Sequence, residues 1–265
     1  MGEVFQATLS RDGIDEPVAL KRMRAEVAET PDGLKQFERE AQICALLEHE
    51  NIVGLRAFGK DEKGPYLALE YVDGVSASQL LAASDALPPG VVWQIALDLT
   101  RGLNAAHQPG RAVIHRDLSP DNVLVAFSGI TKVGDFGIAK LAGGTSFTTT
   151  GAVKGKYGYL APELFDGAEA DVFSDRFALA ATLYKLWCGV GAFKGRTEAE
   201  LLRAVLSAEP AKLSTLRGGV PEDVEGWIHA ALQKDRAARP ELAPLLAALE
   251  KVAGGRDAVA RSLEQ

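Results

Sequence analysis

"HRDLSPDNVL", His115–Leu124, sets an Asp and an Asn five residues apart, puts a Pro between them and runs into an apolar stretch. Pro120 interrupts helix, so the polar residues occupy a loop and Val123-Leu124-Val125 opens a strand. An Asp in such a loop serves as general base, as metal ligand or simply as a turn former, because Asp, Asn, Ser and Pro gather in turns for backbone reasons alone. The rest of the chain decides among these.

At 265 residues and 28.1 kDa the chain is long enough for one large domain or two lobes sharing an interface. A formal charge of −7, with no Lys/Arg cluster, argues against a nucleic-acid or anionic-membrane partner. Cys44 and Cys188 lie in apolar helical patterns, which predicts buried thiols in a reducing cytosol rather than a disulfide. The most apolar stretch, "FALAATLYKLWCGVGAF", is broken by Lys185 and reads as a core helix. No signal-peptide pattern opens the chain. The expectation is a cytoplasmic protein, or the cytosolic part of a longer one.

Outward from the loop, the patterns separate into two regions. "GEVFQATL" and "PVALKRM" flank a turn-rich "SRDGIDE" and predict a hairpin; "NIVGLRAFG" and "GPYLALEYV" predict two more strands. Between them "DGLKQFEREAQICALLEH" carries Leu34, Phe37, Ala41, Cys44 and Leu47 as a helical stripe. Beyond Asp73-Gly74 long helical patterns dominate, with short strands at "NVLVAF" and "TKVGDFG". This is an α+β chain: a β-rich lobe over 1–70, a hinge at 71–75, a mainly helical lobe over 76–253, and a polar, frayed tail over 254–265.

Several polar residues interrupt these apolar patterns. Lys21 ends "VALK", Glu40 follows on a helix, Asp117 and Asn122 share the loop, and Asp135 opens "DFG". Singly, each has a plainer reading as a snorkelling Lys, a solvated helix residue or a turn. Together they form the set a nucleoside triphosphate and a divalent metal require: a cation for phosphates, oxygen donors for the metal, and a separate carboxylate for a hydroxyl nucleophile.

"VALK", the Glu of "FEREA", "HRDLSPDN", "DFG" and "APE" stand in the order of the eukaryotic-type protein kinases, so that over residues 1 to 250 the chain resembles a bacterial serine/threonine kinase domain. The hinge "LALEYVDG" and the late "KDRAARP" belong to the same pattern. The resemblance implies a two-lobed fold, ATP with Mg²⁺ or Mn²⁺ as cofactors, and protein substrates as partners, with self-association for autophosphorylation. Lys21 would hold the α- and β-phosphates and pair with Glu40. Asp117 would act on the substrate hydroxyl, and Asn122 and Asp135 would hold the metal. Glu70 and Val72 would meet adenine through backbone groups, with Leu69 at the pocket's gate and Gly2, Val4, Ala19 and Leu124 lining it. Cys44, Leu55, His115 and Phe136 would stack between the lobes, Asp175 would tie down the catalytic loop, and Arg239 would pair with Glu163.

Three departures bear on activity. The family's Gly-rich loop covers the ATP phosphates, and of it only Gly2 and Val4 match; a late start explains this more simply than loss of the lid. Serine/threonine kinases carry Lys where this chain has Ser119, and commonly Thr where it has Lys156. The two changes read as one exchange, with Lys156 reaching back toward Asp117 and the γ-phosphate as a fourth catalytic residue beside Asp117, Lys21 and Asn122. Between "DFG" and "APE", Thr145, Ser146, Thr148, Thr149 and Thr150 offer phosphorylation sites whose charge would pair with Arg116.

Two other classes compete with a protein kinase. A pseudokinase scaffold is suggested by the missing glycines and Ser119, but it has no physical need for Lys21, Glu40, Asp117, Asn122 and Asp135 together. Small-molecule kinases on a related fold generally lack "APE" and its Arg partner, and both are present here.

Overall fold

A computed structural model describes residues 3–23, 31–84, 86–136 and 156–264, without the side chains of 31–33, 36 and 40. The small lobe is a four-stranded antiparallel sheet with one helix. Strands β1 (Glu3–Arg11) and β2 (Ile14–Arg22) form the expected hairpin, closed by two residues only. Asp12 and Gly13 take φ of 54° and 79°, the paired positive values of a turn that matches strand twist. Helix α1 (Pro31–Leu46) precedes β3 (Leu55–Asp61) and β4 (Gly64–Glu70), and the sheet order is β1-β2-β4-β3. The core here is thin: Phe37 and Ala41 of α1 close on Leu67 of β4, with Met23, Leu55 and Leu69 at the margin.

The large lobe includes a short three-stranded sheet. Gly74 and Val75, read as the end of the hinge, form β5 together with Ser76 and pair with β6 (Val123–Ala126), which pairs in turn with β7 (Thr131–Val133). A Cβ on Gly74 would come within 2.1 Å of the Val125 carbonyl, so this crossing needs glycine. Helices α2 (Ala77–Ala83), α3 (Pro89–Ala106), α4 (Val172–Cys188), α5 (Glu198–Ser207), α6 (Leu213–Leu216), α7 (Glu222–Ala231) and α8 (Leu242–Leu249) follow.

Helices α3 and α4 carry the centre of the core. Trp93 stacks on Trp187 with ring centroids 4.4 Å apart, and Phe177, Leu179, Leu183 and Tyr184 are buried beside them. The stretch around Lys185 is thus a core helix, as its composition implied. Lys185 itself turns to the Gly189 carbonyl at the helix end, 2.6 Å away. No described helix is long and apolar enough to cross a membrane. Cys44 and Cys188 are half-buried rather than fully enclosed, and burial pushes the Cys188 thiol up to about 11.

The stretch read as a frayed tail is ordered. Arg256–Leu263 forms helix α9, with Val259 wholly buried in the large-lobe core and Arg256 forked onto Glu50 at 2.6 and 2.8 Å. Its mean polarity hid one apolar contact face. Gly129 receives it, since a Cβ there would meet the Arg256 carbonyl at 2.1 Å. The lobes are stitched by the segment after α1. Val53 N donates to Val133 O at 2.9 Å, Val133 N to Asn51 O at 2.8 Å, and Asn51 Nδ2 to Thr131 O at 2.9 Å.

Candidate active site

The loop quoted at the outset is held from behind by one carboxylate. Asp175, in the first turn of α4, is 1% exposed in its side chain and accepts from His115 N at 2.6 Å and Arg116 N at 2.9 Å. His107 Nε2 lies 2.9 Å from the same carboxylate. Arg116 adopts φ 67°, a left-handed conformation that a non-glycine residue holds only when its surroundings enforce it. The two backbone donors aimed at Asp175 are that enforcement. Asp171 caps α4 by accepting from Phe173 N and Ser174 N at 2.9 and 3.0 Å, so Asp175 sits on a rigid helix start.

His115 is packing, as the sequence implied. It is fully buried, its Nε2 lies 2.9 Å from the Gly134 carbonyl, and its ring meets Phe136 at 4.6 Å. Burial pushes the imidazole below its usual value, which keeps it neutral. Of the remaining stack members, Cys44 packs at the edge of the cluster that holds Phe136, and Leu55 lies against the small-lobe cluster.

The turn Pro120–Asn122 directs Asn122 back onto its own loop: Nδ2 donates to the Asp117 carbonyl at 2.7 Å and lies 3.3 Å from Asp117 Oδ2. Gly134 N donates to the Asn122 carbonyl at 2.9 Å, tying the Asn122 and Asp135 turns together. One residue on, Asp135 takes φ 48°. That strained residue separates the carboxylate, 3.1 Å from Lys21 Nζ, from Phe136, which turns inward to His115. The small lobe's cation and the large lobe's carboxylate therefore meet across the cleft, with Asp135 half exposed.

On the small-lobe side, Val4 stands opposite Lys21 in the β1–β2 register, while Leu69 and Leu67 stand opposite Ala19 and Lys21 in β4. Directly opposed residues share a face, so Val4, Ala19, Lys21 and Leu69 line one surface. On the large-lobe side Leu124, half-buried on β6, lies beside Gly134. Val72 follows β4 and is half-buried. The Glu70 carboxylate turns away, accepting from Lys132 Nζ at 2.9 Å and Gly54 N at 3.2 Å, while its backbone N–H donates to the Gly54 carbonyl at 2.8 Å. Gly2 and the Glu40 side chain lie outside the described residues, as do Thr145, Ser146, Thr148, Thr149 and Thr150.

Lys156 opens the turn Lys156–Tyr159 and places Nζ 2.9 Å from Asp117 Oδ2. Ser119 is 2% exposed. Three residues after Leu160, Glu163 receives both guanidinium nitrogens of Arg239 at 2.7 Å, and Arg239 is completely buried in its side chain. Two supports escaped the sequence reading. His107 backs Asp175, and Asp98 on α3 accepts from Thr131 N at 3.0 Å beneath β7, its carboxyl pushed up by burial. Both look like ordinary helix polar residues until the partner strand or loop is known.

A carboxylate with an amide beside it, a second carboxylate facing a strand lysine, and a buried Glu–Arg pair below them reproduce the protein-kinase arrangement. The match to the family described as "Protein kinase domain" spans residues 1–248. The chain belongs to that family. The kinase domain is 37% identical over 252 residues to the tyrosine-protein kinase MasK of Myxococcus xanthus, covering 91% of this chain and 38% of that protein. It is 34% identical to the serine/threonine-protein kinase PknB of Mycobacterium leprae, covering 88% and 38%. With PrkC of Bacillus subtilis it shares 34% identity, covering 87% and 35%. The chain thus spans little more than a third of these relatives. The PknI kinase domain of Mycobacterium tuberculosis superposes with a TM-score of 0.69 at 30% identity, covering 96% of this chain and 91% of that one. Rad53 in complex with AMP-PNP, at 22% identity and a TM-score of 0.71 over 97% of this chain and 62% of its own, shares the fold. The kinase domain has the expected two lobes, one a small antiparallel sheet and the other mainly helical, in a family that uses ATP, a divalent metal and protein substrates.

Proposed function

We propose that the kinase domain transfers the γ-phosphoryl group of ATP to Ser or Thr hydroxyls of proteins. The observation that carries this reading is the meeting of Lys21 and Asp135 at 3.1 Å across the cleft, on the turn next to the loop in which Asn122 lies 3.3 Å from Asp117. Lys21, supported by Glu40, holds the α- and β-phosphates once nucleotide is present. Glu70 and Val72 meet adenine through backbone groups, and Leu69, Ala19, Val4 and Leu124 line its pocket, with Gly2 near the phosphates.

Asn122 spends its amide donor on Asp117, so its oxygen is the end left for a cation. With the Asp135 carboxylate this makes a hard oxygen pair suited to Mg²⁺ or Mn²⁺, which when bound neutralises phosphate charge. Asp117 orients the attacking hydroxyl and accepts its proton. A bond forms between that oxygen and the γ-phosphorus, the bond to the β-bridging oxygen breaks, and ADP leaves with the electron pair.

The activation-segment hydroxyls Thr145, Ser146, Thr148, Thr149 and Thr150 serve as the domain's own substrates, through transient self-association. The retained cleft residues favour this reading over a scaffold. Incubating the domain with ATP, Mg²⁺ and a general protein acceptor, then hydrolysing for phosphoamino acids, tests it. Phosphoserine and phosphothreonine are expected. Phosphotyrosine alone would overturn the hydroxyl class, and no transfer would overturn the enzyme.

A further inference from the structure

Phosphoryl transfer builds charge on the equatorial oxygens of the moving group, and a fixed cation beside the catalytic carboxylate stabilises it. Position 119, two residues beyond Asp117, is the nearest place on the catalytic loop from which to supply one. Ser119 brings no charge. It is 2% exposed and its Oγ finds no hydrogen-bond partner among the described residues, so its hydroxyl does not serve Asp117 either.

The cation arrives from another element. Lys156 Nζ is 2.9 Å from Asp117 Oδ2, on the oxygen that also faces Asn122 Nδ2 at 3.3 Å. Lys156 and Ser119 line the same cavity, together with Arg116, Asp117 and Tyr159. The lysine and the serine thus face one space. At 28% exposure its head is reachable by a ligand yet shielded enough for its charge to act. An ammonium has three donors, and one on Asp117 leaves two for phosphate oxygens. Lys21 is placed on Asp135 instead, and in the kinase reading it holds the α- and β-phosphates.

We propose, on the basis of the kinase reading above, that Lys156 is the catalytic cation of this domain. It touches the transferring γ-phosphoryl group and orients Asp117, having exchanged places with the residue at 119. A charge normally carried by the catalytic loop then comes from the activation segment, in the turn Lys156–Tyr159. That turn is fixed from below: Tyr157 meets the Phe165 ring at 5.9 Å, Leu160 is buried, and Glu163 is locked on Arg239. The segment that positions Lys156 thereby controls the chemical step as well as the peptide platform.

The test uses Lys156→Thr, Lys156→Arg, and Lys156→Thr combined with Ser119→Lys, each checked for an unchanged thermal midpoint. For Lys156→Thr, kcat falls about 10²–10³-fold with the peptide KM little moved, the size of one lost transition-state donor. Lys156→Arg regains part of the loss, and adding Ser119→Lys regains at least about tenfold. In calorimetry with Mg·ATP and Mg·ADP, Lys156→Thr erases most of the preference for ATP and leaves ADP affinity unchanged. Turnover held within about threefold in Lys156→Thr would overturn the proposal, as would an intact ATP preference. A double variant no better than the single would overturn the exchange of places. A wild-type domain that binds Mg·ATP without transferring phosphate would defeat the kinase reading instead, and the nucleotide preference would still decide the Lys156 contact.

Discussion

Arg239 in the large lobe and Arg22 in the small lobe both make two-pronged pairs with a carboxylate, and the surroundings make them different devices. Arg239 is wholly buried, binds Glu163 twice, and spends its other donors on the carbonyls of Phe173, Gln233 and Lys234. Arg22 lies across an open sheet on Asp61, whose side chain is 41% exposed. The first fixes a geometry; the second is a screened surface contact. The catalytic loop hangs on the large-lobe kind of support, through Asp175 and the α4 cap. Lys21 hangs on the small-lobe kind, on a sheet that meets α1, among the described residues, through the small cluster of Phe37, Ala41 and Leu67. In the mechanism proposed above, the carboxylate that acts on the hydroxyl is carried by the larger core, and the lysine that holds phosphates by the smaller one.

Removing Arg239 is the largest way to break this contrast. Arg239→Ala strands Glu163 and should cost about 3–5 kcal/mol in urea unfolding, with loss of phosphoryl transfer as the Lys156 turn loosens. A cost below about 1 kcal/mol would place this pair in the surface class. Next in size is Val259→Ala, which probes whether the large-lobe core extends to α9: the lost methyls of a fully buried residue are worth about 2 kcal/mol. A variant as stable as wild type would mean that α9 does not anchor the core.

The smallest effect is on the small lobe. Arg22 holds the Asp61 carboxyl down at about 2, below its ordinary value near 4. The folded value is depressed, so the stabilisation is present above about pH 4 and fades as pH falls toward 2. Urea midpoints of wild type and Asp61→Asn should differ slightly at pH 6 and converge by pH 2. A gap that stays constant with pH would show that Asp61 acts through packing.

Most of this architecture was legible from residues. The hairpin, α1 and the long core helices follow from alternation or helical spacing over enough residues to be unambiguous, and β6 and β7 from the apolar residues of "NVLVAF" and "TKVG" beside the polar turns. Gly74–Ser76 was not, because a three-residue strand has no period to read. Helix α9 was not, because a polar segment with one buried Val looks like solvent-facing chain. In the site, Asp117, Asn122 and Asp135 declared themselves by interrupting apolar patterns. The reach of Lys156 was signalled by the absence of charge at Ser119. His107, Asp98 and the Glu70–Lys132 pair gave no such signal, since each depends on a partner more than thirty residues away.

The central claim is that the carboxylate held on the large lobe, Asp117, performs phosphoryl transfer. The direct measurement is intact mass of the purified domain after incubation with Mg²⁺ and ATP, beside Asp117→Asn. We expect discrete phosphate additions in the wild type, mapping to the 145–150 hydroxyls, and none in the variant. A folded wild type that gains no mass, or an Asp117→Asn domain that gains as much, would contradict the account.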